Sequence, residues 1–129
     1  MENLIIKETK YTPLIMFDSE KHTLEINGGS YPENTSDFYN PVFEWLEKYL
    51  SQLPDNQTFT FNIRIIYFNS SSLKALMNIF NMLEKSAENR TNVIINWYYD
   101  KDNDIVFEHG EEFMEDSELI TFNLVVSED

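Results

Sequence analysis

Three consecutive serines, Ser70, Ser71 and Ser72, stand between an apolar run that ends at Phe68 and an amphipathic segment that begins at Leu73. The apolar run predicts a strand and the segment after it predicts a helix, so the serines lie at a strand-to-helix junction. Backbone N–H groups and the positive end of the helix dipole at such a junction favour an attached phosphate. A serine there can therefore serve as a phosphorylation site that another protein detects at the surface.

The same serines also have a purely structural use. Hydroxyl side chains are preferred helix N-caps, and we expect at least one of the three to cap the helix that contains Leu73. Three hydroxyl groups exceed what one cap requires. The residues alone thus leave two interpretations open, a simple helix cap and a serine that is modified or contacts a partner.

Other side chains that could do chemistry are few and scattered. His22 lies in a strand-like alternation, His109 lies in an acidic segment, and the chain has no cysteine, so the spacing predicts neither a metal site nor a cysteine nucleophile. Gly28, Gly29 and Gly110 do not form a phosphate-binding loop. We therefore expect no cofactor, no metal and no enzymatic activity.

One acidic segment matches part of a calcium-binding motif. Asp100, Asp102, Asp104 and Glu111 have the spacing of the ligands in an EF-hand loop. The sixth position of that loop requires glycine for a sharp turn, whereas this chain has the β-branched Ile105. We expect a solvated turn and an acidic first helical turn instead of a calcium site.

The composition narrows the class of protein. The chain has 129 residues, with 9 Lys and Arg against 23 Asp and Glu, which gives a formal net charge of −14. This charge disfavours nucleic acid and anionic membrane surfaces as partners.

The length predicts a single domain over residues 1–129. The absence of cysteine and of a secretory or membrane-spanning segment predicts a soluble cytoplasmic protein.

The hydrophobic pattern predicts an α/β fold, in which strands come first and then alternate with helices. We expect strands at residues 4–6, 14–17, 22–27, 58–68, 93–99 and 120–126, and helices from near 37 to 53, from 73 to near 88–90, and over 102–117. Such alternation favours a mixed sheet with right-handed crossovers and an N-terminal β-hairpin.

Three details of this pattern can be checked against the structure. A helix that starts near Asp37 places Pro41 in its first turn, where the missing N–H has no cost. The unbroken apolar run over 65–68 predicts a strand covered on both faces. Trp97, Tyr98, Tyr99 and the Tyr31-Pro32 turn are expected to serve mainly in packing, while one face of the strand that holds Tyr98 could meet a protein.

Several segments also resemble those of a known family. They are Ser-Tyr-Pro-Glu-Asn at 30–34, Tyr-Phe-Asn-Ser-Ser-Ser-Leu-Lys-Ala at 67–75, Trp-Tyr-Tyr-Asp at 97–100, and the acidic segment around Phe113. In this order and spacing, over essentially the whole chain, they resemble the SiaC family of bacterial regulatory phosphoproteins.

The resemblance implies a fold like the anti-sigma-factor antagonists (STAS-like) and a role as a phosphorylation-controlled partner switch. It implies three partners: a protein kinase, a PP2C-type phosphatase, and a diguanylate cyclase that the unphosphorylated protein binds and activates. Through the cyclase, the protein would control cyclic di-GMP signalling. The phosphoacceptor of the family's Asn-Thr-Ser-Ser motif corresponds to Ser70, with serine in place of threonine and Ser71 as a competing site. The expected contacts with the partner or kinase are Asn69, Ser71, Ser72, Lys74, Tyr31, Pro32, Glu33 and Asn34.

The rival hypothesis is a constitutive acidic adaptor or a small-ligand-binding domain without phosphoregulation. In that case the serines only cap a helix, and Ser70→Asp and Ser70→Ala bind partners alike.

Overall fold

The computed structural model describes residues 1–89 and 91–127, which fold into one six-stranded sheet with three helices. In chain order the elements are β1 (Leu4–Ile6), β2 (Leu14–Asp18), β3 (Thr23–Ser30), α1 (Thr35–Gln52), β4 (Thr58–Phe68), α2 (Ser70–Glu88), β5 (Asn92–Asp100), α3 (Asp104–Asp116) and β6 (Thr121–Ser127). The expected order of elements is confirmed. The end of α2 was expected near 88–90, and of these positions Arg90 lies outside the described residues.

The strands follow one another across the sheet in the order β1-β2-β3-β4-β5-β6. β1 to β3 pair antiparallel, whereas β3 to β6 pair parallel. Between β2 and β3 the chain turns tightly, because Asp18 Oδ1 accepts hydrogen bonds from the backbone N–H groups of Glu20 and Lys21, both at 3.0 Å. The mixed α/β sheet and its N-terminal hairpin are therefore confirmed.

The helices cover one face of the sheet. Each parallel strand pairs with the next one in the chain, and right-handed crossovers between such neighbours place every connecting helix on the same side. On β4 the residues facing the helices, such as Phe61 and Ile63, are fully buried, while the alternating Asn62 and Arg64 are partly exposed. The second face of the sheet has no covering layer among the described residues.

This one-sided cover makes the prediction for the apolar run over 65–68 wrong. Ile65 is buried, but Ile66 is 56% exposed and Tyr67 is 46% exposed. The pairing of β4 with β3 shifts register here, from Gly28–Ile65 to Ser30–Phe68, so the even alternation between the two faces is interrupted and two large side chains are left at the surface. These side chains lie directly before Asn69 and the serines.

The start of α1 also differs from the prediction. Asn34 is the N-cap, and its side chain accepts a hydrogen bond from the backbone N–H of Asp37 at 3.1 Å. The helix therefore begins at Thr35, two residues before the expected start, and Pro41 lies in its second turn. Because Pro41 is on the exposed side of α1, water can reach the backbone carbonyl that its missing N–H leaves without a helical partner.

Trp97 on β5 is the centre of the core beneath α3. Its ring is fully buried, and its Nε1–H donates to the backbone carbonyl of Val106 at 3.0 Å. Helix α3 approaches this ring through Gly110, where an added Cβ would lie 2.5 Å from Trp97 Cδ1 and 2.6 Å from Nε1. The glycine therefore sets how closely α3 packs on the sheet.

Gly110→Ala is expected to destabilise the protein by about 1–3 kcal/mol, because the new methyl group forces α3 away from a rigid buried indole. A loss of stability would be informative, because the same substitution at an exposed position inside a helix stabilises a protein by about 1 kcal/mol. Urea unfolding followed by circular dichroism measures the change. Glu111→Ala, at an exposed position of the same helix, is the control. A Gly110→Ala variant as stable as the wild type contradicts this packing.

Candidate functional site

Ser70 is the first residue of α2, and a single residue, Asn69, separates it from the end of β4. Asn69 is the N-cap, with an extended backbone (φ −82°, ψ 170°), and its Oδ1 accepts a hydrogen bond from the backbone N–H of Ser72 at 2.9 Å. The prediction that one of the three serines caps α2 is therefore wrong. The asparagine before them has the extended backbone that capping requires, so all three serines fall inside the first helical turn.

The three serines have different surroundings, because successive residues of a helix point about 100° apart. Ser70 is exposed, and within the described part of the chain its hydroxyl makes no hydrogen bond. Ser71 is also exposed, but its Oγ lies 2.6 Å from Thr35 Oγ1 and donates to Asn69 Oδ1 at 3.2 Å. Ser72 is fully buried. The serine cluster thus offers one unengaged surface hydroxyl.

Ser72 belongs to a buried hydroxyl network that joins β3, α1 and α2. The Ser30 hydroxyl donates to Ser72 Oγ at 2.8 Å and lies 2.6 Å from Tyr39 Oη. Burial raises the pKa of Tyr39, while its hydrogen bonds to Ser30 and Ser72 act in the opposite direction. The sequence alone did not indicate Ser30 or Tyr39 in this role, because the bond between Ser30 and Ser72 joins residues 42 positions apart.

This burial corrects one expected contact. A partner or kinase cannot touch the Ser72 side chain while the network is intact, because its exposed fraction is 0%. Pro32 is buried as well, although it lies in a segment expected to make contacts. Glu33, Asn34, Ser71 and Lys74 are exposed, so their expected role as contacts stays a prediction.

The loop before α1 lies beside the start of α2, as the expected contact set requires. The hydrogen bond between the hydroxyls of Thr35 and Ser71, 2.6 Å long, joins the first turns of the two helices. Lys74 lies four residues after Ser70, which places both side chains on the same side of α2. The structure thus brings the two sequence segments and one cationic side chain together at one edge of the sheet.

Three tyrosines lie at this same edge. The ring of Tyr31 is 5.1 Å from that of Tyr11 and 4.9 Å from that of Tyr67, measured between centroids. The Tyr67 ring lies against Gly29, where an added Cβ would be 2.4 Å from Tyr67 Cζ. The hydrogen bond that Tyr67 donates to Tyr31 at 3.2 Å raises the pKa of Tyr67, because ionisation would remove the donor. We call Tyr11, Tyr31 and Tyr67 the tyrosine cluster.

The N-termini of all three helices meet the same edge of the sheet, where the parallel strands end. Each helix is capped by an asparagine: Asn34 for α1, Asn69 for α2 and Asn103 for α3. Asn103 also donates from Nδ2 to the backbone carbonyl of Ile66 at 2.9 Å, which ties α3 to the end of β4. The positive ends of three helix dipoles therefore point to the edge where Ser70 lies.

The residues considered for metal binding are the acidic residues with EF-hand spacing and the two histidines. Asp104 and Glu111 are both in α3, so they do not form the single loop that an EF-hand needs. Nδ1 of His22 is 2.6 Å from Tyr49 Oη, and His109 packs on Phe68. Within residues 1–89 and 91–127, no group of three potential ligands is positioned to hold a metal ion.

In the part of the chain that the structure describes, no helix combines the length and the apolar character needed to cross a bilayer.

Comparison with known proteins identifies the family. Residues 6–127 match a family described as SiaC family regulatory phosphoprotein. An uncharacterised protein of Pseudomonas aeruginosa strain UCBPP-PA14 is 36% identical over 116 residues, which cover 90% of each chain.

Solved structures agree with this match. The crystal structure of apo-SiaC from Pseudomonas aeruginosa superposes with a TM-score of 0.86 at 33% identity, over 99% of this chain and 100% of that chain. A chain in the crystal structure of the diguanylate cyclase SiaD with its activator SiaC, from the same organism, gives a TM-score of 0.89 at 34% identity, over 96% of this chain and 99% of that one. The narrower likeness to STAS domains stays a prediction. The family match over most of the sequence and the shared fold show that this chain belongs to the SiaC family of regulatory phosphoproteins.

Proposed function

We propose that this protein is a phosphorylation-controlled switch that binds and activates a diguanylate cyclase when Ser70 is unmodified. The observation that carries the proposal is the position of Ser70, the one serine of the cluster whose hydroxyl is exposed and makes no hydrogen bond among the described residues. The cyclase as partner rests on the likeness to SiaC, which was crystallised with the cyclase that it activates.

The surroundings of Ser70 suit a phosphate. The group would extend from the first residue of α2, where the helix dipole favours negative charge. Lys74, one turn later, can supply a positive charge to the phosphate oxygens. Ser71 is a poorer acceptor, because its hydroxyl is already engaged with Thr35 and Asn69.

The effect of the phosphate follows from the apolar surface beside it. Ile66, Tyr67 and Tyr11 are large side chains that are each about half exposed, and tyrosine is enriched in protein interfaces. Because Ser70 follows Tyr67 by three residues, we expect a partner that covers this surface to extend over Ser70 as well. A phosphate there would place about two negative charges in the interface, and burying a charge without a matching partner is costly. Binding is therefore lost without any large change in the fold.

The modifying enzymes supply the chemistry. A protein kinase would bring the nucleotide and Mg²⁺ to the exposed Ser70 hydroxyl, and a PP2C-type phosphatase would remove the phosphate. The protein itself acts by binding and needs neither a cofactor nor an active site. We place this cycle in the cytoplasm, where the nucleotide substrates of kinase and cyclase are present.

Ser70→Glu is expected to lower cyclase activation by roughly 100-fold at a fixed protein concentration, while Ser70→Ala activates like the wild type. The glutamate mimics part of the phosphate charge, and the fold tolerates it because an acidic residue suits the first turn of a helix. Each purified diguanylate cyclase of the source organism is assayed for cyclic di-GMP synthesis from GTP, with and without each variant.

The control for charge alone is Ser51→Glu, which changes an exposed serine at the opposite end of α1 and should leave activation unchanged. If Ser70→Glu and Ser70→Ala activate a cyclase equally, the switch is refuted and a constitutive adaptor takes its place. If no cyclase responds to the wild type, the choice of partner is wrong.

Tyr67→Ala is expected to weaken cyclase binding by about tenfold or more, because an exposed tyrosine fixed against Gly29 has the character of an interface hot spot. Titration calorimetry with the responding cyclase measures the affinity, and thermal unfolding checks the fold. Leu119→Ala removes a similarly exposed apolar side chain, in the segment between α3 and β6, and should bind normally. Equal affinities of the two variants would place the interface elsewhere.

A further inference from the structure

The face of the sheet opposite the helices is uncovered among the described residues, although four of its six strands are parallel. Parallel sheets in proteins are almost always covered on both faces. Three rows of side chains cross β3 to β6 on this face, and none of the twelve is buried. The central row consists of Glu25, Asn62, Asn96 and Asn123. We call this surface the open face.

On β3 to β6 the open face is neutral, although the protein is strongly acidic, and Asp18, which continues one row on β2, adds a single negative charge. The row on one side of the centre consists of Thr23, Thr60, Ile94 and Thr121, and the row on the other side of Asn27, Arg64, Tyr98 and Val125. Across the three rows Glu25 and Arg64 are the two charged residues, of opposite sign, whereas the whole chain carries −14. Two charged residues among twelve is a small share, and a shortage of charged residues is typical of the centre of a protein interface.

The asparagines of the central row form a fixed ladder. Asn96 Nδ2 donates to Asn62 Oδ1 at 2.9 Å, and Asn123 Nδ2 donates to Asn96 Oδ1 at 3.0 Å. Side chains held in this way lose little further conformational freedom when another surface covers them. The row continues on the antiparallel strands with Met16 and Ile5, which are 43% and 61% exposed. Covering the face would bury these apolar side chains as well.

The chemistry of the face favours a second copy of the same chain. An amide both donates and accepts hydrogen bonds, so a row of amides can match a copy of itself across a two-fold axis. The charges of Glu25 and Arg64 cancel, and Asp18 leaves one negative charge per copy, so the face repels its own copy only weakly. A basic partner would instead be drawn to the acidic remainder of the surface.

The area allows a weak dimer. Six strands about 4.8 Å apart, with rows that span about 17 Å along the strands, present roughly 500 Å² per copy. Two copies then bury about 1,000 Å², which is near the lower limit for a specific interface. We infer that this protein forms a two-fold dimer in which the open faces of two copies pack on each other, away from Ser70.

The test is analytical ultracentrifugation of the full chain over concentrations from roughly 10 µM to 1 mM, a range that matches a weak association. The wild type should shift from monomer to dimer across this range. Asn96→Glu, which adds a charge at the centre of the face, should weaken the dimer by at least about tenfold. Thr60→Glu leaves the ladder intact and should show the same loss. Asn81→Glu makes the same change of charge on the exposed side of α2 and should dimerise like the wild type.

Cross-linking gives a second readout, because the chain has no cysteine of its own. Single-cysteine variants Asn96→Cys and Asn81→Cys are oxidised side by side, and the open-face variant should form a covalent dimer about tenfold faster. A monomeric wild type at every concentration overturns the inference. The inference is also overturned if the Asn96→Glu and Asn81→Glu variants dimerise with equal affinity. If the Asn96→Cys variant is monomeric and a purified cyclase protects its introduced thiol from alkylation, the face belongs to that partner and the inference is also overturned.

Discussion

The structure depends on the one-residue junction between β4 and α2. Asn69 makes four hydrogen bonds there: its backbone N–H donates to the Ser30 carbonyl at 3.0 Å, its carbonyl accepts from Leu73 N–H at 3.0 Å, and its side chain accepts from Ser72 N–H and from Ser71 Oγ. With so short a connection, the start of α2 is fixed to the end of β4 and to its neighbour β3. The orientation of every residue in the first turn follows from this constraint.

The fixed start explains why three identical side chains have three different roles. Rotation along the helix directs Ser72 into the interior, where it joins the network with Ser30 and Tyr39, and directs Ser70 to the surface. Ser71 lies between them and joins α2 to Thr35 on α1. The buried network joins β3, α1 and α2, whereas the Ser70 hydroxyl stays exposed. A phosphate at Ser70 would thus change the surface while the contacts that maintain the fold stay in place.

Hydrophobic periodicity predicted the order of the elements and the position of the serines, because both are local properties of the sequence. The cap preference of hydroxyl side chains assigned the cap of α2 to a serine, since the choice between Asn69 and Ser70 depends on which residue has an extended backbone. The exposure of Tyr67 depends on which face of the sheet the helices cover, and the tyrosine cluster joins residues from three separate segments. Packing against Gly110 is likewise a tertiary property. These features require the path of the whole chain.

In the proposed function, this protein is a scaffold that presents the Ser70 hydroxyl beside an apolar surface. The proposed switch requires that cells phosphorylate Ser70. The most direct measurement is intact-mass and fragmentation mass spectrometry of the protein purified from its own cells with phosphatases inhibited. We expect a single phosphate, located on Ser70. Phosphate on Ser71 with Ser70 unmodified, or unmodified protein under every growth condition tested, would contradict the claim.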